Sequence, residues 1–311
     1  MLQEIRNIYL SGLGAVGGTY ALTLSSWGPD RFKVIADPER IRRYAEGGIS
    51  INGAPVAFRY VQPDAEAPPA DLILVAVKQH QLGQAIHEMR RFVGEETIIL
   101  SLLNGIDSEQ VIGREFGMEK LLYSFVVGTD AVREGTQIHF TKVGTIVFGE
   151  PTNTVHSPKV VAVKTCFDRA GIPYRIPENM MRELWWKFMM NVGVNQTSAV
   201  MKANYGAYQK IEEARSVMVM ACLEVVRISE QAGINLTPQD VDQYFQVIQK
   251  LSPESKTSML QDIEACRKTE VEIFAGTVME LGRRYGIPTP VNDLLYGMIR
   301  TIERTYLEGC H

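Results

Sequence analysis

Ile8-Tyr9-Leu10-Ser11-Gly12-Leu13-Gly14-Ala15-Val16-Gly17-Gly18 decides the first half of this chain. Ile8-Tyr9-Leu10 reads as a short buried strand, and the apolar positions Ala21, Leu22 and Leu24 that follow read as a helix. Between them stands GxGxxG in the context that gives it meaning, after a strand and opening a helix. Gly12 permits the tight turn, Gly14 lets backbone approach a pyrophosphate, and Gly17 lets helix and strand pack closely. The first helical turn, with Leu13, Ala15 and Val16, presents unbonded N–H groups and a partial positive charge to phosphates. These residues predict a dinucleotide site on a Rossmann-like parallel sheet.

Working outward, Phe32-Lys33-Val34-Ile35-Ala36 is the second strand, and Asp37 ends it 20 positions beyond Gly17. A carboxylate there accepts hydrogen bonds from adenine-ribose hydroxyls and repels a 2′-phosphate, which favours NAD(H) and leaves NADP(H) possible. Arg40, Arg42 and Arg43 stand against it: they form either a solvated helix face or a phosphate contact. The runs 71–77 and 98–103 read as further central strands, ending in Lys78 and in Asn104-Gly105. Open α/β sheets bind ligands at such carboxyl ends, so Lys78 and Asn104 are either cofactor and substrate contacts or ordinary loop residues. Asn52-Gly53 signals a small hairpin, and 136–140 with 145–148 alternate like a second one. Pro68-Pro69 and 151–158 read as surface loops.

From about Pro177 strand-like runs stop and helical periods dominate, which divides the chain into a dinucleotide-binding domain, 1–177, and an all-helical domain, 178–311. In Leu184-Trp185-Trp186-Lys187-Phe188-Met189-Met190-Asn191-Val192-Gly193-Val194-Asn195, the residues Lys187, Asn191 and Asn195 recur every four and share one helix face within apolar surroundings. Unpaired burial costs roughly 1–3 kcal/mol per polar group. The stripe is therefore either a satisfied core network with a snorkelling lysine, or a polar site able to protonate a substrate oxygen. Met180, Met181, Met189, Met190, Met218 and Met220 read as core filling. Residues 258–284 read as one long helix with Glu270 at the edge of its apolar stripe, where a carboxylate needs Arg267, Lys187 or a ligand hydroxyl as partner. Ser258 lies near its start, among Ser255 and Thr257: any of the three serves as a cap, and Ser258 is also placed to hold a substrate carboxylate.

The chain has 311 residues, comfortable for two domains. Its net charge of −4 gives no electrostatic reason to expect nucleic acid or an anionic membrane as partner. No apolar run is long enough for a membrane span, and the amino terminus lacks a signal-peptide pattern. Cys166, Cys222, Cys266 and Cys310 are scattered, three of them in apolar helical patterns where a cysteine is usually a small buried hydrophobe. The histidines show no ligand spacing. Neither type suggests a metal site, a cytoplasmic setting fits, and Cys310-His311 reads as a frayed end. A homodimer is compatible with the apolar helical half, although no stripe is surplus to the monomer core.

These segments together resemble the ketopantoate reductase (2-dehydropantoate 2-reductase) family over nearly the full length. The resemblance rests on Gly12-Leu13-Gly14-Ala15-Val16-Gly17, Val77-Lys78, Leu103-Asn104-Gly105 and Leu184-Trp185-Trp186-Lys187 with Asn191 and Asn195. Ser258-Met259-Leu260-Gln261-Asp262-Ile263, Arg267-Lys268-Thr269-Glu270 and 286–292 complete it. It implies a Rossmann domain followed by a helical domain, and reduction of a small 2-keto acid by NAD(P)H in pantothenate biosynthesis. It also implies that Lys187 protonates or polarises the C2 oxygen, and that Glu270 engages a substrate hydroxyl and orders Lys187. Asn104, Asn191, Asn195 and Ser258 would then position substrate, with Lys78 on the cofactor side. The family mostly uses NADPH and usually carries a basic residue at Asp37, and 128–131 matches its threonine-rich segment only loosely. A reductase of another branched 2-keto acid, or a nonenzymatic dinucleotide sensor, are the rival readings.

Overall fold

A computed structural model describes residues 4–309, so Cys310 and His311 lie outside the described residues. The chain divides into two compact units, Met1–Met180 and Met181–His311.

In the first unit the strands are β1 (Ile8–Ser11), β2 (Phe32–Ile35), β3 (Ile49–Ile51), β4 (Ala54–Val56), β5 (Tyr60–Val61) and β6 (Ala70–Val75). They continue as β7 (Val93–Ser101), β8 (Leu121–Val127), β9 (Val132–Glu134), β10 (Gln137–His139), β11 (Thr145–Gly149) and β12 (Tyr174–Arg175). Helices α1 (Ala15–Trp27), α2 (Pro38–Gly47), α3 (Leu82–Met89), α4 (Ser108–Phe116) and α5 (Pro158–Ala170) connect them. Eight strands form one sheet in the order β12-β11-β8-β7-β6-β1-β2-β5, parallel throughout except where β8 and β11 run antiparallel. Apolar clusters cover both faces, Leu10, Leu24, Leu72 and Leu100 in one and Tyr9, Ile73, Phe92 and Ile99 in the other, which is why the central strands read as unbroken hydrophobic runs. The chain leaves β1 for β2 on one side and returns to β6 on the other. That reversal opens a crevice at the carboxyl ends of β1 and β6, where such sheets bind ligands.

The second sheet is small, in the order β4-β3-β10-β9. Asn52 and Gly53 close the β3–β4 hairpin, both with positive φ as a type I′ turn requires. The expected pairing of 136–140 with 145–148 does not occur: β10 pairs with β9 and β3, whereas β11 pairs with β8 and β12. Gly135, at φ +58°, closes the tighter β9–β10 turn, and Ile138 of β10 is fully buried with the core of α1. Local turn geometry and burial outcompete the longer loop.

The second unit is helical: α6 (Met180–Met190), α7 (Gln196–Met201), α8 (Tyr205–Lys210), α9 (Glu212–Gln231), α10 (Pro238–Ile248), α11 (Ser258–Glu264), α12 (Ala275–Tyr285) and α13 (Pro290–Leu307). The long α9 touches α8, α10, α12 and α13. Met180, Met189 and Met218 are fully buried as expected, but Met220 is 44% exposed because it falls on the outer side of α9. Cys166 and Cys222 are buried, whereas Cys266 is exposed. It sits at φ +50° in a break of the expected 258–284 helix. After α11 the backbone turns, the Arg267 amide bonds back to the Asp262 carbonyl (2.8 Å), and a short 3-10 turn at Val271–Ile273 precedes α12. Among the described residues, no helix is long and apolar enough to cross a membrane.

Candidate active site

In the first unit the glycine loop has the shape its sequence requires. Gly12 adopts φ +103°, and a Cβ there would lie 2.6 Å from the Ala76 carbonyl oxygen. A Cβ on Gly17 would fall 2.0 Å from the Gly12 carbonyl oxygen, so only glycine lets α1 start this close to β1. Gly14 differs: the nearest atom to a Cβ there is 3.7 Å away, which leaves room for a ligand to approach the backbone. Gly14 caps α1 without a side chain, so the amides of the first turn, Ala15, Val16 and Gly17, face the loop unbonded by any cap. These residues fit a pyrophosphate.

Asp37 stands at the end of β2 and caps α2: its Oδ1 accepts from the Arg40 amide (2.7 Å) and its Oδ2 from Arg40 Nε (2.6 Å). Burial alone would raise this carboxyl, but the Arg40 amide and guanidinium outweigh it and hold Asp37 below the usual carboxylate range. The same Arg40 reaches buried Glu88. Lys78 follows β6 and caps a 3-10 turn, its amide donating to Gln81 Oε1 (3.3 Å). Asn104 is half-buried in the loop after β7. Beneath that loop the Ser101 and Ser108 hydroxyls share a hydrogen bond (2.7 Å), Ser108 Oγ donates to Glu109 (2.9 Å), and Ser124 Oγ donates to the Ser101 carbonyl (2.6 Å). Burial pushes the Glu109 carboxyl up to about 7. Nothing in the sequence pattern had marked this serine–glutamate network, whose members come from separate elements.

In the second unit Lys187 lies on α6, and Asn191–Asn195 form a π turn joining α6 to α7. The four-residue spacing survives the wider turn, with Asn195 Nδ2 donating to Asn191 Oδ1 (3.4 Å). The buried Asn191 Nδ2 makes no hydrogen bond within the structure, an unmet donor of the kind that marks ligand sites. Desolvation pushes the Lys187 amine down to about 8, and the Glu270 carboxylate pulls it the other way. Glu270 is buried but not helical: it lies in the break between α11 and α12, so its apolar surroundings are tertiary and not those of a helix stripe. Glu303 on α13 holds that break, accepting from the Thr269 amide (2.7 Å) and hydroxyl (2.5 Å). Thr257, not Ser258, caps α11, and Ser258 is exposed.

A π turn frees backbone carbonyls, and side chains here satisfy them. Gln196 Nε2 donates to the Val192 carbonyl (2.8 Å), and Thr197 Oγ1 donates to that of Gly193 (2.8 Å). Gln196 also ties the turn to α12, accepting from the Ala275 amide (2.9 Å), and to Asn292 on α13 (3.0 Å). Buried Glu224 on α9 takes the Val291 and Asn292 amides at the start of α13 (2.9 and 3.0 Å), where a helix terminus favours a carboxylate. The polar run Gln196-Thr197-Ser198 inside an apolar helix was the available sequence signal for this scaffold.

A parallel sheet with a glycine-cradled switch point, followed by a helical unit holding a half-buried lysine and asparagine beside a buried glutamate and a second, buried asparagine, defines a Rossmann-type dinucleotide-dependent oxidoreductase. The family descriptions "Ketopantoate reductase PanE/ApbA" and "Ketopantoate reductase PanE/ApbA C terminal" match residues 8–153 and 179–303. The chain belongs to the ketopantoate reductase family. It is 26% identical over 305 residues to 2-dehydropantoate 2-reductase of Aquifex aeolicus, covering 96% of this chain and 97% of that one. Among solved structures, D-mandelate dehydrogenase with NADH and anilino(oxo)acetate superposes with a TM-score of 0.84 at 23% identity, over 96% of this chain and 99% of that one. The dimeric ketopantoate reductase of Staphylococcus aureus does so with a TM-score of 0.78 at 21% identity, over the same shares.

Proposed function

We propose that this chain reduces 2-dehydropantoate to pantoate with NAD(P)H, in the cytoplasm, as a step of pantothenate biosynthesis. The observation that carries this is the Lys187 amine, desolvated to about 8 on a helix face shared with Asn191, whose buried Nδ2 lacks a partner. Reduced nicotinamide supplies the hydride when bound. Lys187, still mostly protonated at neutral pH, donates its proton to the C2 oxygen and stabilises the charge developing there. Glu270 keeps the ammonium form populated and takes a hydrogen bond from a substrate hydroxyl. Asn191, through its unmet donor, and Asn195 hold the substrate, with Ser258 and Asn104 as further substrate contacts. Lys78 acts on the cofactor side. In this reading residues 1–177 are the dinucleotide-binding domain and 178–311 the substrate and catalytic domain. The dimeric Staphylococcus aureus relative supports a homodimer.

NADH is the proposed favoured donor, from the carboxylate of Asp37 at the end of β2. NADPH is the second reading, because Arg40 already neutralises that carboxylate. A reductase of another 2-keto acid is the second reading for substrate, and the mandelate dehydrogenase, solved with NADH and anilino(oxo)acetate, favours it. The test is loss of reduced-nicotinamide absorbance with 2-dehydropantoate and a panel of other 2-keto acids, each with NADH and NADPH. Fastest turnover of 2-dehydropantoate with NADH is expected. Preference for another keto acid would replace the substrate, and preference for NADPH would remove Asp37 as the discriminator. Binding without oxidation of either cofactor would leave the sensor reading.

A further inference from the structure

We propose that Arg133 is a dinucleotide-binding residue whose guanidinium bonds a phosphate of the cofactor beside the glycine loop. It rests on the dinucleotide reading of residues 12–17. Arg133 lies on β9, far from the motif in sequence. A Cβ on Gly18 would lie 2.4 Å from Ile138 Cδ1, so the bare backbone of α1 at Gly18 admits the β9–β10 hairpin against the helix's first turn. That docking brings Arg133 to the loop, where its Nη1 donates to the Leu13 carbonyl. Its Nε donates to the Gly135 carbonyl (2.8 Å), and its guanidinium lies 5.6 Å from the centre of the Tyr44 ring.

Two carbonyls and an aromatic face thus hold the guanidinium in place while using two of its five N–H groups. Leu13 stands between Gly12 and Gly14, so this cation adds to the positive end of α1 at the point where a phosphate is received. Arg43, 5.5 Å from the same Tyr44 ring, is its neighbour on that ring. The contrast with Arg40 is chemical: Arg40 is held by Asp37 and Glu88, whereas among the described residues no carboxylate pairs with Arg133 or Arg43. A half-buried arginine without a counterion, fixed against a phosphate loop, is completed by an anionic ligand. The phosphate has two sources, the pyrophosphate or an adenosine 2′-phosphate.

The experiment measures dissociation constants of NADH and NADPH, by fluorescence or calorimetry, for the full chain and for R133M and R133K over a range of salt concentrations. R133M should weaken binding about tenfold or more, with a shallower salt dependence, and R133K should recover part of the loss. Equal losses for both dinucleotides assign the contact to the pyrophosphate, and a loss confined to NADPH assigns it to the 2′-phosphate. Unchanged binding in R133M overturns the proposal. So does an equal loss with unaltered salt dependence, which means that Arg133 only braces the Leu13 carbonyl; unfolding of R133M is excluded by circular dichroism, with R133K read in its place if it occurs. Wild-type protein that binds neither dinucleotide removes the underlying reading as well, and that titration stands apart from the variants.

Discussion

At the scale of single residues, the proposed acid is Lys187, whose protonation would set the pH range of activity. Its folded value of about 8 lies below the ordinary lysine value of 10.5 because desolvation outweighs the attraction of Glu270. With the ammonium as the proposed proton donor, kcat/KM for keto-acid reduction should fall as pH rises through about 8. K187A should lose roughly 10²–10⁴-fold in kcat with its far-UV dichroism unchanged, since the charge it meets exists mainly in the transition state. A variant with near-normal turnover, or a wild-type profile flat through that range, would remove Lys187 as the acid. Lys187 and its two asparagines were legible because polar residues at a four-residue spacing stand out in an apolar run. Glu270 was legible as a buried carboxylate but not in its setting. Its position depends on Cys266 adopting a left-handed conformation and on Glu303, 34 residues from Thr269, capturing the intervening loop.

The π turn between α6 and α7 is the element on which the candidate site depends. Gly193 at its centre is packed so closely that a Cβ would lie 2.3 Å from Cys222 Sγ and 3.3 Å from the Met218 carbonyl oxygen on α9. Alanine would gain about 0.5–1 kcal/mol from helix propensity. Overpacking against two neighbours costs more, about 1–3 kcal/mol. G193A should therefore lower the thermal midpoint and, by shifting Asn191 and Asn195, reduce keto-acid turnover. The double variant G193A/C222A should regain part of both, because one of the two clashes is relieved. A G193A protein more stable than wild type would show that α9 yields at no cost. Sequence periodicity predicted the helix but not the π turn, since the same residues satisfy either hydrogen-bond pattern locally. The packing of α9 and the side-chain bonds of Gln196 and Thr197 select the wider one.

For the whole molecule, the buried network under the Asn104 loop makes stability depend on pH. Glu109 has a folded value of about 7 against 4.5 unfolded, so its proton is held more tightly in the native state. Its contribution is complete below 4.5 and is lost as pH rises through about 7, up to about 3 kcal/mol. E109Q keeps an acceptor for Ser124 and a partner for Ser108 without the charge. It should flatten the denaturation midpoint between those values and stabilise the first unit above neutral pH. An unaltered pH profile in E109Q would show that another group governs it. The sequence by itself determined the order of strands, glycine loop and helices, the change to a helical second half, and the residue types able to bind a dinucleotide and protonate an oxygen. Short-range backbone sterics and hydrophobic period dictate those features, and both are local. Tertiary structure alone decided which sheet β10 joins, where the 258–284 helix breaks, the width of the turn at Asn191, and the arrival of Arg133 at Leu13. In each of these, contacts between residues distant in sequence act together with local turns and side-chain bonds, and burial and hydrogen bonding outweigh small helix and strand preferences.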